Sequence, residues 1–207
     1  MGILPLLACA AVAVASAQDV VADRLVAVVS GQPMMASDLR AARTLDLVPG
    51  AATLGDAALI DRLIVRELMR AEVERFSTTL ADVDRGVTGR AAAEARTERA
   101  GGEAGLAALG LTPGRLLAWL EDDARIERYM RQRFDASSQP SDDEALTWFQ
   151  IHERDYLREG RPRPFVEVRD EVRARLAAER RQSLVDDWVA GLRRRAVIVL
   201  VPAPSQP

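Results

Sequence analysis

Apolar side chains recur at intervals of three to five positions from Asp56 to Phe76, with charged side chains between them. This spacing brings the apolar side chains onto one side of an α-helix, so it predicts a long amphipathic helix over the whole stretch. The apolar positions are Leu59, Ile60, Leu63, Ile64, Leu68, Met69 and Val73. Because so wide a stripe has to be buried against other elements, we expect a mainly α-helical bundle.

Further stretches of this kind predict five more helices and a short helical turn. The composition agrees, because 48% of the residues are hydrophobic, 29% are charged and only 4% are aromatic, which is typical of a mostly helical protein. Ser37 is the expected N-cap of the first helix, and Ser141 begins a capping box. The expected helices cover 38–48, 80–100, 113–134, 142–158 and 165–195, the turn covers 103–109, and breaks lie at 137–140 and 160–164.

Short strands are expected near both ends of the chain. Leu25–Val29 is an apolar, largely β-branched run, and the turn-forming residues 30–33 return the chain to a second strand at Met34 and Met35. Near the other end, 196–201 has the composition of a buried strand that Pro202 stops. We expect this closing strand to join the N-terminal hairpin in one small sheet, and the tail 202–207 to be disordered.

The N-terminal segment has the pattern of a targeting sequence. Residues 1–17 carry no charged side chain and end in Ala-Ser-Ala at 15–17. This predicts a secretory signal peptide cleaved before Gln18, which would place the mature chain outside the cytoplasm. The apolar run is too short to cross a bilayer. In an alternative interpretation, Cys9 and the residues at 6–8 form a lipobox like that of bacterial lipoproteins, and a lipid on Cys9 would tether the protein to a membrane.

The chain offers few side chains for catalysis or metal binding. It has one His, one Cys and no Lys, so all 28 basic residues are Arg. A single chain therefore cannot assemble a zinc site from Cys and His, close a disulfide, or supply a Schiff-base or phosphate-binding lysine. The formal net charge of −3 argues against a general nucleic-acid-binding protein. We expect no catalytic residue, no metal and no cofactor.

The remaining polar clusters have structural interpretations. His152 lies on a charged helix and lacks the second His of a metalloprotease motif, so a solvated or hydrogen-bonded role is favoured over catalysis. Adjacent carboxylates at 122–123, 142–144 and 186–187 point in different directions on a helix, which favours capping and surface charge over acid/base pairs. The arginines at 193–195 complement a helix dipole, with binding to nucleic acid or anionic lipid as the alternative.

Several ordered segments of the mature chain resemble the SurA family of periplasmic chaperones. The segments similar to its N-terminal domain and later helices are DRLVAVVSG at 23–31, SDL at 37–39, LIDRLI at 59–64, EL at 67–68, LTP at 111–113, RIERY at 125–129 and PSDDE at 140–144. Residues 165–201 resemble the helix and strand that complete the core of that family. The resemblance implies a single core over 18–201, in which 165–201 completes the helical part at 18–158.

The resemblance departs from the family at one point. Related foldases carry prolyl isomerase domains of the parvulin type between the helical part and the C-terminal helix, whereas here only a short segment separates Tyr156 from Phe165. An independent domain needs at least ~50 residues. The resemblance therefore implies the chaperone role, located in the periplasm, without isomerase activity.

The predicted function is ATP-independent holding of unfolded outer-membrane or periplasmic proteins. Most buried aromatic residues are simply part of a core, but those on the last three long helices, with methionines as adaptable filling, are the candidates for lining an apolar groove that holds these clients. The candidate client-binding residues are Trp119, Tyr129, Trp148, Phe149, Trp188, Met34 and Met35. Two alternatives stay open: a divergent prolyl isomerase, and a dedicated subunit whose apolar face is covered by one envelope protein or by a second copy in a homodimer.

Overall fold

The computed structural model describes residues 23–76 and 87–202. The helices are α1 (Ala36–Leu45), α2 (Asp56–Phe76), α3 (Val87–Arg99), α4 (Gly102–Ala108), α5 (Pro113–Ser138), α6 (Asp142–Ile151) and α7 (Phe165–Arg195). The strands are β1 (Leu25–Val29), β2 (Gln32–Met35), β3 (Leu157–Arg158), β4 (Arg161–Pro162) and β5 (Ile198–Leu200), and a 3₁₀ turn covers Glu153–Asp155. The mainly helical architecture is confirmed, and α2 has the predicted bounds.

The expected sheet is present, with both ends of the described chain in it. Its strand order is β2-β1-β5, and both pairs are antiparallel. Ser30 and Gly31 form the two-residue turn between β1 and β2, with φ angles of 49° and 88° that are typical of a type I′ hairpin. The pairing of the closing strand with the N-terminal hairpin, predicted from two apolar runs at opposite ends of the sequence, is thus confirmed.

The main core lies between the sheet and the helices α1, α2, α5 and the C-terminal half of α7. The fully buried side chains of α2 are those of the predicted stripe, with Leu59 0% and Val73 1% exposed. Leu192 and Val185 of α7 join the same cluster. The helices α2 and α7, which are far apart in sequence, therefore bury their apolar faces against each other. Because β5 directly follows α7, this packing places β5 beside β1.

A second, smaller core surrounds the N-terminal half of α7. Its buried residues are Ala145, Phe149, Tyr156, Val168 and Val172, with Trp148 and Phe165 packed against them. Because the two cores share α7, that single long helix connects them.

Four expected helix boundaries are wrong, each because of tertiary contacts or local capping. The first helix ends at Leu45 and not at residue 48, because Asp46 adopts a left-handed conformation that caps it. Ser37 is not an N-cap: it lies in the first turn of α1, where its N–H and hydroxyl both donate to the carboxylate of Asp23. Asp38 caps the helix instead by accepting a hydrogen bond from the Met35 N–H at 2.7 Å. The Ser-Ser break expected at 137–138 is helical, since α5 continues to Ser138 and ends where Pro140 forces Gln139 into an extended conformation.

The helix expected to reach residue 158 stops at Ile151. The chain then forms the 3₁₀ turn and buries Tyr156, which is 3% exposed, in the second core. A tight turn at Glu159 and Gly160, with φ angles of 52° and 80°, joins β3 to β4 where we expected only a stiff break. The expected signal peptide, the start of the helix expected at 80–100 and the tail after Pro202 lie outside the described residues.

Candidate functional site

Six of the seven residues predicted from sequence to contact clients fall in three separate places, and Met35 lies outside all three. Tyr129 and Trp188 belong to the main core, where each side chain is 9% exposed. Their ring centroids lie 5.6 Å apart, and Phe134 lies 5.7 Å from Trp188. These rings fill the contact between α5 and α7, so no open groove runs between them.

Phe149 and Trp148 belong to the second core. Phe149 is buried against Tyr156 and Phe165, whereas Trp148 is half-buried. The Trp148 indole stacks on the His152 ring with centroids 3.8 Å apart, and the His152 Nδ1–H donates to the Trp148 carbonyl at 2.8 Å. This arrangement fits the hydrogen-bonded role predicted for the histidine.

Met34 and Trp119 are the two predicted residues that line a common cleft. The cleft has a volume of about 500 Å³ and lies between β2, α2 and α5. Met35 is half-buried at the end of β2 and does not line this cleft. The remaining lining residues are largely charged: Asp38, Arg66, Glu67, Arg70, Glu74, Arg115 and Asp122, with Val29, Gln32, Pro33, Leu63 and Ala118 between them.

The arginines of this cleft are bound by neighbouring acids. Arg66 donates from Nε to Asp123 at 2.7 Å, and Arg70 donates to Glu67 at 2.7 and 2.9 Å and to Glu74 at 2.8 Å. Burial raises the pKa of the Asp123 carboxyl, although the charge and hydrogen bond of Arg66 act in the opposite direction. Because Arg66 and Arg70 are already paired with carboxylates, their positive charges are not free to bind an anion. The cleft is better suited to a peptide segment that carries both polar and apolar side chains.

Two groups of exposed apolar side chains lie outside the seven residues predicted from sequence. The strand patch consists of Val197, Val199 and Leu200, of which Val197 is 71% and Leu200 63% exposed. A buried strand was expected here, but β5 lies at the edge of the sheet. An apolar run is consistent with both situations, so no signal in the sequence separates them.

The second group, which we call the end group, comprises three exposed residues that occur in the sequence between the last residue of α6 and the first turn of α7. It consists of Ile151, Leu157 and Val166, which are 75%, 48% and 80% exposed. An ion pair of 3.4 Å between Arg158 and Glu167 holds β3 close to the start of α7. A single helix was expected to include both Ile151 and Leu157, whereas α6 ends at the first of these residues and β3 begins at the second.

A shallow groove of about 370 Å³ adjoins the end group between α6 and α7. Trp148, Ile151 and Leu176 supply its apolar lining, and Glu144 and Arg180 supply charge. Trp148 is therefore a predicted aromatic residue that lines a groove together with the exposed side chain of Ile151. Arg175 lies 5.0 Å from its ring centroid and covers part of the indole.

The described part of the chain gives no sign of a metal centre or a membrane span. Within residues 23–76 and 87–202, no three His, Cys, Asp or Glu side chains are grouped as metal ligands would be. Among the helices that the structure describes, none combines the length and the apolar character needed to cross a bilayer.

Comparison with known proteins identifies no relative. No family model matches the chain. No curated protein and no solved structure matches it either. What can be said of its function therefore depends on the residues and their geometry.

Proposed function

We propose that this chain is an ATP-independent periplasmic chaperone that holds unfolded envelope and outer-membrane proteins. The observation that carries the proposal is the exposed apolar surface of the strand patch and the end group. The six large aliphatic side chains of these two groups are between 48% and 80% exposed, and contact with an apolar client segment would remove their surface from water. The resemblance to SurA in the order of the sequence segments supports the same function.

The two apolar surfaces suit weak and broad binding. Each is small, shallow and made of aliphatic side chains, so it can cover exposed apolar segments without selecting one sequence. The cleft with Met34 and Trp119 adds a third surface of mixed charge beside an adaptable methionine and an indole. Separate surfaces on one chain would hold an extended client at several points, which raises its overall affinity.

The test of this function is suppression of aggregation. A urea-unfolded outer-membrane β-barrel protein is diluted into buffer without ATP, and light scattering is followed with and without the purified protein. We expect a delay that depends on the ratio of the two proteins. The delay should shorten in the variants V197T/V199T and I151S/V166S, which remove apolar surface at exposed positions.

The matched control is Ala57→Ser, which changes an exposed position of α2 outside both apolar groups. It should suppress aggregation as the wild type does. Failure of the wild-type protein to delay aggregation would exclude the proposed function. Recovery of one envelope protein in a fixed ratio, in place of many clients, would identify a dedicated subunit instead.

A further inference from the structure

The register of the sheet determines which backbone groups of β5 are free. The Ser30 N–H donates to the Val197 carbonyl at 2.7 Å, and the Val201 N–H donates to the Val26 carbonyl at 2.9 Å, with Val28 opposite Val199 between them. In an antiparallel pair, alternate residues direct both backbone groups toward the partner. The N–H and carbonyl groups of the residues between these, Ile198 and Leu200, therefore point away from β1.

The opposite edge of the same sheet is blocked by a proline. Val29 and Gln32 flank the two-residue turn and pair with each other, so Pro33 occupies the alternate position of β2 that faces away from β1. A proline has no N–H, and at such a position it prevents a further strand from pairing without weakening the existing sheet. Pro33 is exposed, as this role requires.

Within Ile198–Leu200 the edge of β5 has no such protection, and the free edge ends at Pro202, the next position that faces outward. Its three residues include neither a proline nor a charged side chain, and no described residue pairs with its outer side. Val199 lies on the outer face of the sheet and Leu200 on the other, and both are more than half exposed. An added strand would thus find backbone partners and apolar contacts on both faces.

We propose that the outer edge of β5 binds an extended apolar segment of an unfolded polypeptide by adding it to the sheet as a fourth strand. Backbone hydrogen bonds to Ile198 and Leu200 hold the segment, and its alternate side chains contact the strand patch. This inference rests on the proposed function and names the form in which a client is bound. The segment is recognised by its ability to form a strand and by its aliphatic side chains, not by a particular sequence.

The size of the edge favours a client segment over a second copy of this chain. A stable protein interface uses about 20–30 residues on each side, whereas β5 has 3 residues. So short an edge gives a weak and rapidly reversible contact. That is suitable for a chaperone that releases its client and insufficient for a homodimer held by this edge alone.

The variant Leu200→Pro tests the inference because it removes a backbone N–H that points outward. Proline is tolerated on an edge strand where its N–H would face solvent, so the pairing of β5 with β1 should persist. Leu200→Ala is the matched control, since it also shortens the side chain but keeps the N–H. The probe is a fluorescein-labelled peptide of alternating valine and threonine, and binding to the purified protein is measured by fluorescence anisotropy.

We expect the dissociation constant of Leu200→Pro to be about tenfold higher than that of Leu200→Ala, which corresponds to one lost hydrogen bond. Circular dichroism and the thermal transition establish whether each variant is folded. Equal binding by folded Leu200→Pro and Leu200→Ala would overturn the inference.

A second arm uses the wild-type protein and so does not depend on the folding of the proline variant. Two probe peptides carry the same number of backbone N-methyl groups, placed on one edge of the peptide strand or divided between both edges. Strand addition requires one intact peptide edge, so only the first peptide should bind. Equal binding of the two peptides would show apolar contact without strand pairing and would overturn the inference.

Two further results separate the possible failures. If the wild-type protein suppresses aggregation but binds both methylated peptides equally, the strand-addition site is wrong and the proposed function stands. If the wild-type protein does not suppress aggregation, the proposed function itself fails. A wild-type dimer that becomes monomeric in Leu200→Pro, seen by sedimentation, would mean that a second copy occupies the edge, which also overturns the inference.

Discussion

Arg66 on α2 stacks on Trp119 of α5, with its guanidinium carbon 3.6 Å from the centroid of the indole ring. The same side chain donates to the Asp123 carboxylate at 2.7 Å and to the Trp119 carbonyl at 3.0 Å. Only 11% of the Arg66 side chain is exposed. One residue therefore joins the two helices by cation–π stacking, an ion pair and a backbone hydrogen bond, and forms part of the wall of the cleft.

We expect Arg66→Ala to lower the free energy of unfolding by about 2 kcal/mol, because it removes the stacking and leaves the carboxylate of Asp123 without its partner. Urea denaturation measures the change. The double variant R66A/D123N should lose less unfolding free energy than Arg66→Ala alone. The neutral amide that replaces the carboxylate at position 123 is easier to bury than an unpaired carboxylate. A loss under 0.5 kcal/mol in Arg66→Ala, the range of ordinary surface substitutions, would contradict this account.

Glu144 makes the stability of the α6–α7 contact depend on pH. Arg180 donates to its two carboxylate oxygens at 2.9 and 3.1 Å, and the Ser141 N–H donates to one of them at 2.8 Å. The hydrogen bonds from Arg180, followed by those from Ser141, lower the pKa of Glu144 from 4.5 to about 2. Because the folded-state pKa is the lower one, the stabilisation is complete above the unfolded pKa and is lost as the pH falls toward 2.

Glu144→Gln should therefore unfold at a lower temperature than the wild type at pH 7, with the difference shrinking between pH 4.5 and 2. Thermal denaturation followed by circular dichroism at a series of pH values measures this difference. Asp143→Asn, on the exposed side of the same helix turn, is the control and should show no comparable trend. A difference that is constant over the whole pH range would refute the ion pair as its cause.

Trp188 should act on stability and not on client binding. We expect Trp188→Ala to cost about 3–5 kcal/mol of unfolding free energy, because it leaves a cavity beside Tyr129 and Phe134. Trp188→Phe should cost under about 1.5 kcal/mol, since it keeps the ring contacts. It also removes an indole N–H that is buried without a hydrogen-bond partner in the described structure.

Folded Trp188→Phe should suppress aggregation as well as the wild type does. Urea denaturation gives the stability of both variants, and light scattering gives the activity. A stable Trp188→Phe variant that no longer holds clients would instead assign the indole to the binding surface.

The hairpin turn offers a stabilising substitution. Ser30 has a φ of 49°, a left-handed conformation that asparagine adopts more readily than serine, and Asn-Gly is the preferred type I′ sequence. We expect Ser30→Asn to raise the unfolding free energy by roughly 0.5 kcal/mol. Gly31→Ala should lower the unfolding free energy by about 1 kcal/mol. The φ of 88° at this position is strained for a residue with a Cβ, and since no atom lies within contact of that Cβ, the backbone strain is the cause. A higher melting temperature for Ser30→Asn and a lower one for Gly31→Ala would confirm the type I′ turn. An unchanged melting temperature for Gly31→Ala would exclude it.

Local patterns in the sequence were sufficient to predict α2, the hairpin and the capping box of Ser141. Each depends on residues close together in the chain, such as the spacing of the apolar stripe or the reciprocal bonds between Ser141 and Glu144. The pairing of β5 with β1 was also predictable, because two apolar strands at opposite ends of a helical chain have few other partners. The seven candidate residues were less predictable, since an aromatic side chain has the same local pattern in a core and in a groove.

The sequence by itself determined the helical periodicity, the turn chemistry and the shortage of catalytic side chains, because these are properties of residue type and spacing. Only the tertiary structure decided that Tyr129 and Trp188 close the contact between α5 and α7, and that Tyr156 ends the helical run by entering a second core. It also decided that β5 is an edge strand. Burial depends on which elements lie beside a side chain, and the chain brings those elements together from distant positions that no local pattern records.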